Sequence, residues 1–452
     1  MTSARKAIPV LALAGGILAG CDGDGLGSVE SVSRGIPQAV YVLDRNSLST
    51  YTVDAGTRQV RSRGYLLTGA YPTAIGLDPG GRFAYVANFR SSDVSAFRVQ
   101  ASGELKPIQG SPFPAQARPY AVTLDPSGRF AYIANQQSGT VSAYRIDPQS
   151  GALGPVPGSP FRAGTRPFSV TLDASGRLAY VANQGSGDIS AYQVDSRSGA
   201  LSPVGGAPFK AGASPRLVTL HPSQRFAYAA SNASDTVSAW RIEANGALTP
   251  VPGSPFAAGR GPVAVTLDPA GRFAYAANQF ADTISAYRVD PDTGALSPVP
   301  GSPFAAKSFP SSVSIDPSGK FAYVANFFSN NVSAYRIDVA SGALAELPGS
   351  PFAARRTPLG VAIEPGGRFA YVANQSSNDI SAYAIDRAAG TLRELEGSPF
   401  AAGKEPGAVA VDAGGRFAYV ANLGSNDVSS YAIDPSTGAL SAATASLHAA
   451  NR

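Results

Sequence analysis

The chain has 452 residues, with 36 Lys and Arg against 31 Asp and Glu, two histidines, one cysteine and only 15% charged residues. A formal charge of +5 is too small to imply a nucleic-acid partner, and a single cysteine excludes an internal disulfide framework. No H-E-x-x-H, C-x-x-C, P-loop or G-x-S-x-G pattern occurs, so zinc, nucleotide and serine-hydrolase chemistry lack sequence support, and neither a metal nor a cofactor is expected.

Residues 1–20 read as an export signal: Arg5 and Lys6 form a basic n-region, and Ala7 to Ile17 a short apolar core. That core is too short to span a bilayer. Leu18-Ala19-Gly20-Cys21 resembles the lipobox of bacterial lipoproteins. The resemblance implies cleavage before Cys21, lipidation of that cysteine and a place in the cell envelope, facing the periplasm or the surface. Asp22, directly after the cysteine, resembles an inner-membrane retention signal. Residues 21–36, with Asp22-Gly23-Asp24-Gly25, read as a flexible tether, and 37–452 as a single domain.

From there one unit recurs. Phe-Ala-Tyr or a close variant places tyrosine at 85, 132, 180, 228, 275, 323, 371 and 419, a spacing of 47 or 48 residues. A period of this length is one supersecondary unit repeated. In the unit at 119–161, Pro119 to Asp125 is a strand, A, ending in a Pro126-Ser127-Gly128 turn, and Arg129 to Asn135 is strand B. Its alternation sets Phe130, Tyr132 and Ala134 on one face and Ala131 and Ile133 on the other. Val141 to Asp147 is strand C, Leu153 begins strand D, and Pro157 to Phe161 leads to the next A. A strand B that is apolar on both faces suits a blade sandwiched between two others. The chain is therefore expected to be all-β, a β-propeller of four-stranded antiparallel blades. A solenoid would need polar terminal caps, which are missing from the sequence.

Strand A patterns start at Pro72, Pro119, Pro167, Pro215, Pro262, Pro310, Pro358 and Pro406, which predicts eight complete blades. Before them lies a partial unit: Val40 to Val42 resembles B, Leu48 to Val53 C and Arg63 to Leu67 D, with Val29 to Ser33 a weak A. Residues 29–71 would then make a ninth, incomplete blade as the alternative.

The recurring Pro-x-x-Val-x-Leu-Asp-Pro-x-Gly-Arg-Phe-x-Tyr-Val-Ala-Asn and Val-Ser-Ala-Tyr-Arg-Ile-Asp-Pro-x-x-Gly-Ala-Leu patterns resemble the lactonase-type, or YVTN-repeat, propeller family. That family includes bacterial 6-phosphogluconolactonases and carboxymuconate-lactonizing enzymes and usually has seven blades. The resemblance implies lactone chemistry near a central channel, in some members through histidine, arginine and glutamate. No position of this chain carries that trio.

Residue by residue, little breaks the period. His221 fills a turn slot that holds Asp in most repeats, and His448 lies in the C-terminal tail. Asp78, Asp125, Asp173, Asp268, Asp316 and Asp412 are copies of one turn position, matched four residues later by Arg82, Arg129, Arg177, Arg272, Lys320 and Arg416, with Glu364 and Arg368 as the lengthened pair; turn ion pairs are expected. One set exceeds scaffold. Arg118, Arg166, Arg216, Arg260, Lys307, Arg356 and Lys404, with Arg162, Lys210 and Arg355 beside them, place a basic residue in each of seven D-to-A connections, where a ring of one sign would attract anions. Tyr120, Phe168 and Phe309 near strand A, and Phe89, Phe280, Phe327 and Phe328 in B-to-C loops, belong to the same face. The expectation is a monomeric envelope protein that binds an anionic glycan, sugar acid or protein there, with a lactone hydrolase as the alternative and a purely structural envelope protein as a third reading.

Overall fold

The computed structural model describes residues 39–442 except 44–46, 54–59, 68–71, 81, 100–104, 403, 412–416 and 423–426. The predicted signal, the tether, the weak strand at 29–33, Asp412 with its partner Arg416, and His448 lie outside the described residues. Within them all regular structure is β, laid out as nine sheets in chain order. Blade 1 has three strands, Ala39–Leu43, Ser47–Val53 and Val60–Leu67. Blades 2 to 9 each have four, hydrogen-bonded in the order A-B-C-D with antiparallel neighbours. In blade 3 these are Pro119–Leu124, Phe130–Asn135, Thr140–Ile146 and Leu153–Pro155.

The eight complete blades match the eight strand A patterns. The partial unit also joins the ring, for blade 1 touches strand A of blade 2 on one side and strands B and C of blade 9 on the other. It supplies the B, C and D places. One segment differs from its sequence reading: Phe161–Arg162 is more than a connector, pairing with the start of strand C through Val141 and Thr140. Seven blades carry this fifth, two-residue strand.

The predicted division of strand B between two neighbours is what the packing shows. Phe130, Tyr132 and Ala134 pack with Val170, Val181 and Tyr192 of blade 4, whereas Ala131 and Ile133 pack with Phe83 and Tyr85 of blade 2. Every residue of Phe130–Asn135 is buried. Each large ring therefore faces the small side of the next blade, the interdigitation that fills a close-packed interior.

Hydrogen bonds then lock neighbour to neighbour. The Tyr132 hydroxyl donates to the Gly199 carbonyl of blade 4 at 3.1 Å, and Tyr85, Tyr180, Tyr228, Tyr275, Tyr323 and Tyr371 repeat the bond to Gly151, Gly246, Gly294, Gly342, Gly390 and Gly438 at 2.9–3.1 Å. Gly199 has φ +78°, and a Cβ there would lie 2.3 Å from the Phe130 ring. The Phe and Tyr of one motif thus clasp a C-to-D turn that only glycine can make.

The expected turn ion pairs are secondary. Asp125 Oδ1 accepts the backbone N–H groups of Arg129 and Phe130, both at 2.7 Å, so the carboxylate closes the A-to-B turn through the main chain. Among the described residues, ion pairs at this turn join Asp78 to Arg82 at 3.4 Å, Asp268 to Arg272 at 3.4 Å and Glu364 to Arg368 at 3.2 Å. Asp125, Asp173 and Asp316 make none with their partners. The arginines reach further, Arg82 to the Pro148 carbonyl at 3.1 Å and Arg368 to that of Pro435 at 2.9 Å, both in the next blade. His221 serves the same turn: Nδ1 is 2.8 Å from Ser223 Oγ and Nε2 is 2.7 Å from the Gly271 carbonyl of blade 6.

Candidate functional site at the channel mouth

The D-to-A and B-to-C connections emerge on one face and bond to each other. Gln136 N–H donates to the Arg118 carbonyl at 2.8 Å, Gln184 to Arg166 at 3.0 Å, Phe280 to Arg260 at 3.1 Å and Ser376 to Arg356 at 3.2 Å. The seven basic residues all lie on this face, but they occupy four different positions of the repeat. Arg118 and Arg166 directly precede strand A, with left-handed φ of 56° and 53°. Arg260, Arg356 and Lys404 stand one residue earlier, exposed to solvent. Lys307 stands one earlier again and is ion-paired with Glu346 on an outer strand D at 3.4 Å, as Arg355 is with Glu394 at 3.0 Å. Lys404 joins Glu405, Gln375, Ser376 and Asn378 around an open cleft of about 400 Å³.

Arg216 is different from the rest. Strand A of blade 5 was expected from Pro215, yet only Thr219–Leu220 pairs with strand B there, with one isolated bridge between Pro215 and Ser231. Leu217 stands where the other inner strands have Ala74, Ala121, Ser169, Ala264, Ser312, Gly360 and Ala408. Blades 6 and 8 also skip pairing here, between Pro262 and Val265 and between Pro358 and Val361, but less extensively. The interrupted ladder leaves Arg216 in an inner-strand position rather than in the loop, at the place held by Tyr120 and Phe168 in blades 3 and 4. That position is a strand bulge in blade 4, where pairing shifts between Pro167 and Ser169, and bulges re-aim side chains.

A continuous row results. Arg118 Cζ lies 5.3 Å from the centre of the Phe89 ring, Phe89 meets Tyr120 edge-on at 6.2 Å, Tyr120 meets Phe168 at 4.5 Å, and Arg216 Cζ lies 6.0 Å from the centre of Phe168. Cation-π contact holds both guanidinium groups against aromatic walls. Tyr120 and Phe168 are buried. Burial holds the Arg216 guanidinium below the usual arginine range, opposed by the neighbouring Tyr120. Its Nε is buried without a hydrogen-bond partner, and no ion pair among the described residues involves Arg216. A partly desolvated cation with unused donors is a ready receptor for a carboxylate, a phosphate or a carbonyl oxygen.

The remaining aromatics form a second group. Phe309 stands 5.8 Å from Phe280, 5.8 Å from Phe327 and 4.8 Å from Phe328, and Phe280 and Phe328 are more than half exposed. They cap the loops of blades 6 and 7. Sequence reading placed both aromatic groups on this face but put Arg216 in the loop with the other basic residues; the signal was that it follows Pro215, whereas the others precede the first proline of strand A.

Nine antiparallel sheets in chain order, closed by contacts between blade 1 and blade 9, define a β-propeller. A family described as "Lactonase, 7-bladed beta-propeller" matches residues 32–117, 111–165, 154–354 and 346–451, and the chain belongs to it. The blade number differs from that description, since extra copies of the unit lengthen the ring. None of the curated protein sequences compared with the chain matches it. Among solved structures it is similar to a candidate 6-phosphogluconolactonase from Bacteroides uniformis (20% identity, 71% of this chain and 97% of that one, TM-score 0.51). It is also similar to the periplasmic gluconolactonase of Pseudomonas aeruginosa (23%, 70% and 96%, TM-score 0.48) and to the dihydro-heme d1 dehydrogenase NirN (16%, 79% and 72%, TM-score 0.53). The last is named for unrelated chemistry, so these likenesses speak to fold.

Proposed function

We propose that the protein is a lactone hydrolase whose substrate is the lactone of a sugar acid, bound at the channel mouth on Arg216. The observation that carries this reading is a partly buried guanidinium with unused donors beside Tyr120 and Phe168, at an interrupted inner strand of a lactonase-family propeller. In the reaction water adds to the carbonyl carbon, the ring C–O bond breaks, and the ring oxygen leaves as a hydroxyl after taking a proton. Arg216 is suited to hold the oxyanion that forms, an interaction that strengthens as charge develops. The Tyr120 hydroxyl, next to the guanidinium, is the nearest candidate to pass the proton.

The test is hydrolysis of aldonolactones, with and without a phosphate substituent, followed by pH-stat. Turnover well above buffer, lost by about 10²–10³-fold in kcat for Arg216→Met, is expected. No turnover above buffer with either substrate overturns the enzymatic reading. A binding role without turnover is the second reading, favoured by Arg118, Arg166, Arg260 and Arg356, none of which has an ion-pair partner among the described residues. Such a face would attract an anionic glycan or protein in a salt-dependent way.

We place this activity in the envelope, held there by lipid on Cys21. A Cys21→Ser protein is then expected to leave the membrane fraction on cell lysis. Retention of that variant in the membrane pellet contradicts the anchor.

A further inference from the structure

Arg216 is gripped from the blade before it. The Ser169 hydroxyl donates to the Arg216 carbonyl at 2.8 Å across the boundary between blades 4 and 5, and Ser169 is 2% exposed. Phe168, the residue before it, supplies the ring over which the Arg216 guanidinium lies. One dipeptide therefore meets Arg216 at both ends, the ring at the side chain and the hydroxyl at the main chain. Successive side chains of a regular strand point to opposite faces, and the shift of pairing between Pro167 and Ser169 breaks that alternation here.

The bond is not part of the repeat. Inner strands are joined to the next blade by a hydroxyl two residues further on: Thr123, Thr171, Thr219, Thr266 and Ser314 donate to the carbonyls of Val170, Val218, Val265, Val313 and Val361 at 2.8–3.2 Å. At the position of Ser169 the other inner strands have Ala74, Ala121, Leu217, Ala264, Gly360 and Ala408, which carry no hydroxyl, and Ser312, whose Oγ has no partner. Among the described residues this position makes the bond once, and the acceptor is the residue with the partly buried guanidinium.

It also falls where the strand's own sheet supplies least. Between the bridge of Pro215 to Ser231 and the pairing of Thr219 with Tyr228, residues 216–218 have no place in the ladder of blade 5. The direction of a side chain follows from its φ and ψ, and a strand segment outside its ladder is not held to one pair of values. The bonds from Ser169 and Thr171, to the carbonyls at 216 and 218, take the place of the ladder.

We propose that Ser169 is a positioning residue for Arg216: by fixing the carbonyl of that residue it aims the guanidinium at the anion of the ligand. The proposal rests on the reading of Arg216 given above and involves no contact between Ser169 and the ligand. A guanidinium binds a carboxylate through a planar fork of donors, so a change of aim weakens binding even where the charge is kept.

The test is calorimetric titration of the mature protein with D-gluconate, comparing wild type with Ser169→Ala, Thr171→Val and Arg216→Met. Alanine already stands at this position as Ala74, Ala121, Ala264 and Ala408, so Ser169→Ala is compatible with the fold. Kd and stoichiometry separate positioning from stability: a misaimed guanidinium raises Kd with the number of sites kept, whereas a weakened blade boundary lowers the number of sites at unchanged Kd. Ser169→Ala is expected to raise Kd about 5–10-fold, the worth of roughly one hydrogen bond, with stoichiometry unchanged. Thr171→Val deletes the repeat's own bond across the same boundary and should leave Kd as in wild type. Loss of binding in Arg216→Met with Kd unchanged in Ser169→Ala overturns the proposal and leaves the Arg216 reading intact. Equal rises of Kd in Ser169→Ala and Thr171→Val assign the effect to the blade boundary and overturn it too. Gluconate binding that is absent from wild type, or indifferent to Arg216→Met, sinks the Arg216 reading and this proposal with it.

Discussion

At the residue scale the most visible motif serves assembly. Phe-Ala-Tyr contributes two rings and one hydroxyl to a single inter-blade clasp, and burial pushes the tyrosines well above their usual pKa, as with Tyr180 and Tyr228. Tyr180→Phe removes the donor to Gly246 while keeping the ring, leaving a buried carbonyl unpaired; about 1–2 kcal/mol of stability should be lost in urea melts. Gly199→Ala should lose more, since the left-handed turn and the Phe130 contact are both violated. Equal stability of Tyr180→Phe and wild type would remove the clasp from the account. This burial was legible from alternation in strand B, because Ala and Val opposite Phe and Tyr leave no face for solvent. The hydroxyl's partner was not, since it lies 66 residues away across a blade boundary.

At the element scale the C-to-D turn holds an exposed carboxylate that its own backbone satisfies, repeated from blade to blade. In blade 4 the Asp195 carboxylate accepts Arg197 N–H at 2.9 Å, Ser198 N–H at 2.7 Å and Ser198 Oγ–H at 2.9 Å. The backbone bond to Ser198 is the largest cause that holds its pKa below the usual range, and Asp147, Asp290 and Asp338 repeat the arrangement with Ser150, Thr293 and Ser341. Because the folded pKa is depressed, the stabilisation is complete above the unfolded value near ~3.9 and is lost as pH falls through and below it. Melting temperature should therefore hold from pH 7 to about 5 and fall steeply below about 4; a flat profile down to pH 2.5 contradicts the role of these turns. The turns themselves were evident from Asp-Pro-x-x-Gly spacing. The two-residue strand after each Ser-Pro, or Ala207-Pro208 in blade 4, by contrast, gave no periodic signal, being too short to show alternation.

At the scale of the whole molecule, repetition supplies a rigid ring and the site comes from its exceptions. The sequence pattern was enough for the fold and for the eight complete blades, because each has the same burial problem; the incomplete unit that joins the ring as a ninth stood only as the alternative. It was not enough for the site, since charge in a loop says nothing about radius or pairing: Lys307 is neutralised by Glu346 and Arg356 is exposed, while Arg216 stands in an inner-strand position, partly buried. A uniform basic ring and a single anchored guanidinium make opposite demands on mutants. The most direct measurement is aldonolactone turnover and aldonate binding by Arg216→Met beside Arg166→Met, each on the mature protein at fixed ionic strength. Loss of both activities in the Arg216 variant, with Arg166→Met within about 2-fold of wild type, is the predicted result. Equal losses in the two variants would contradict it.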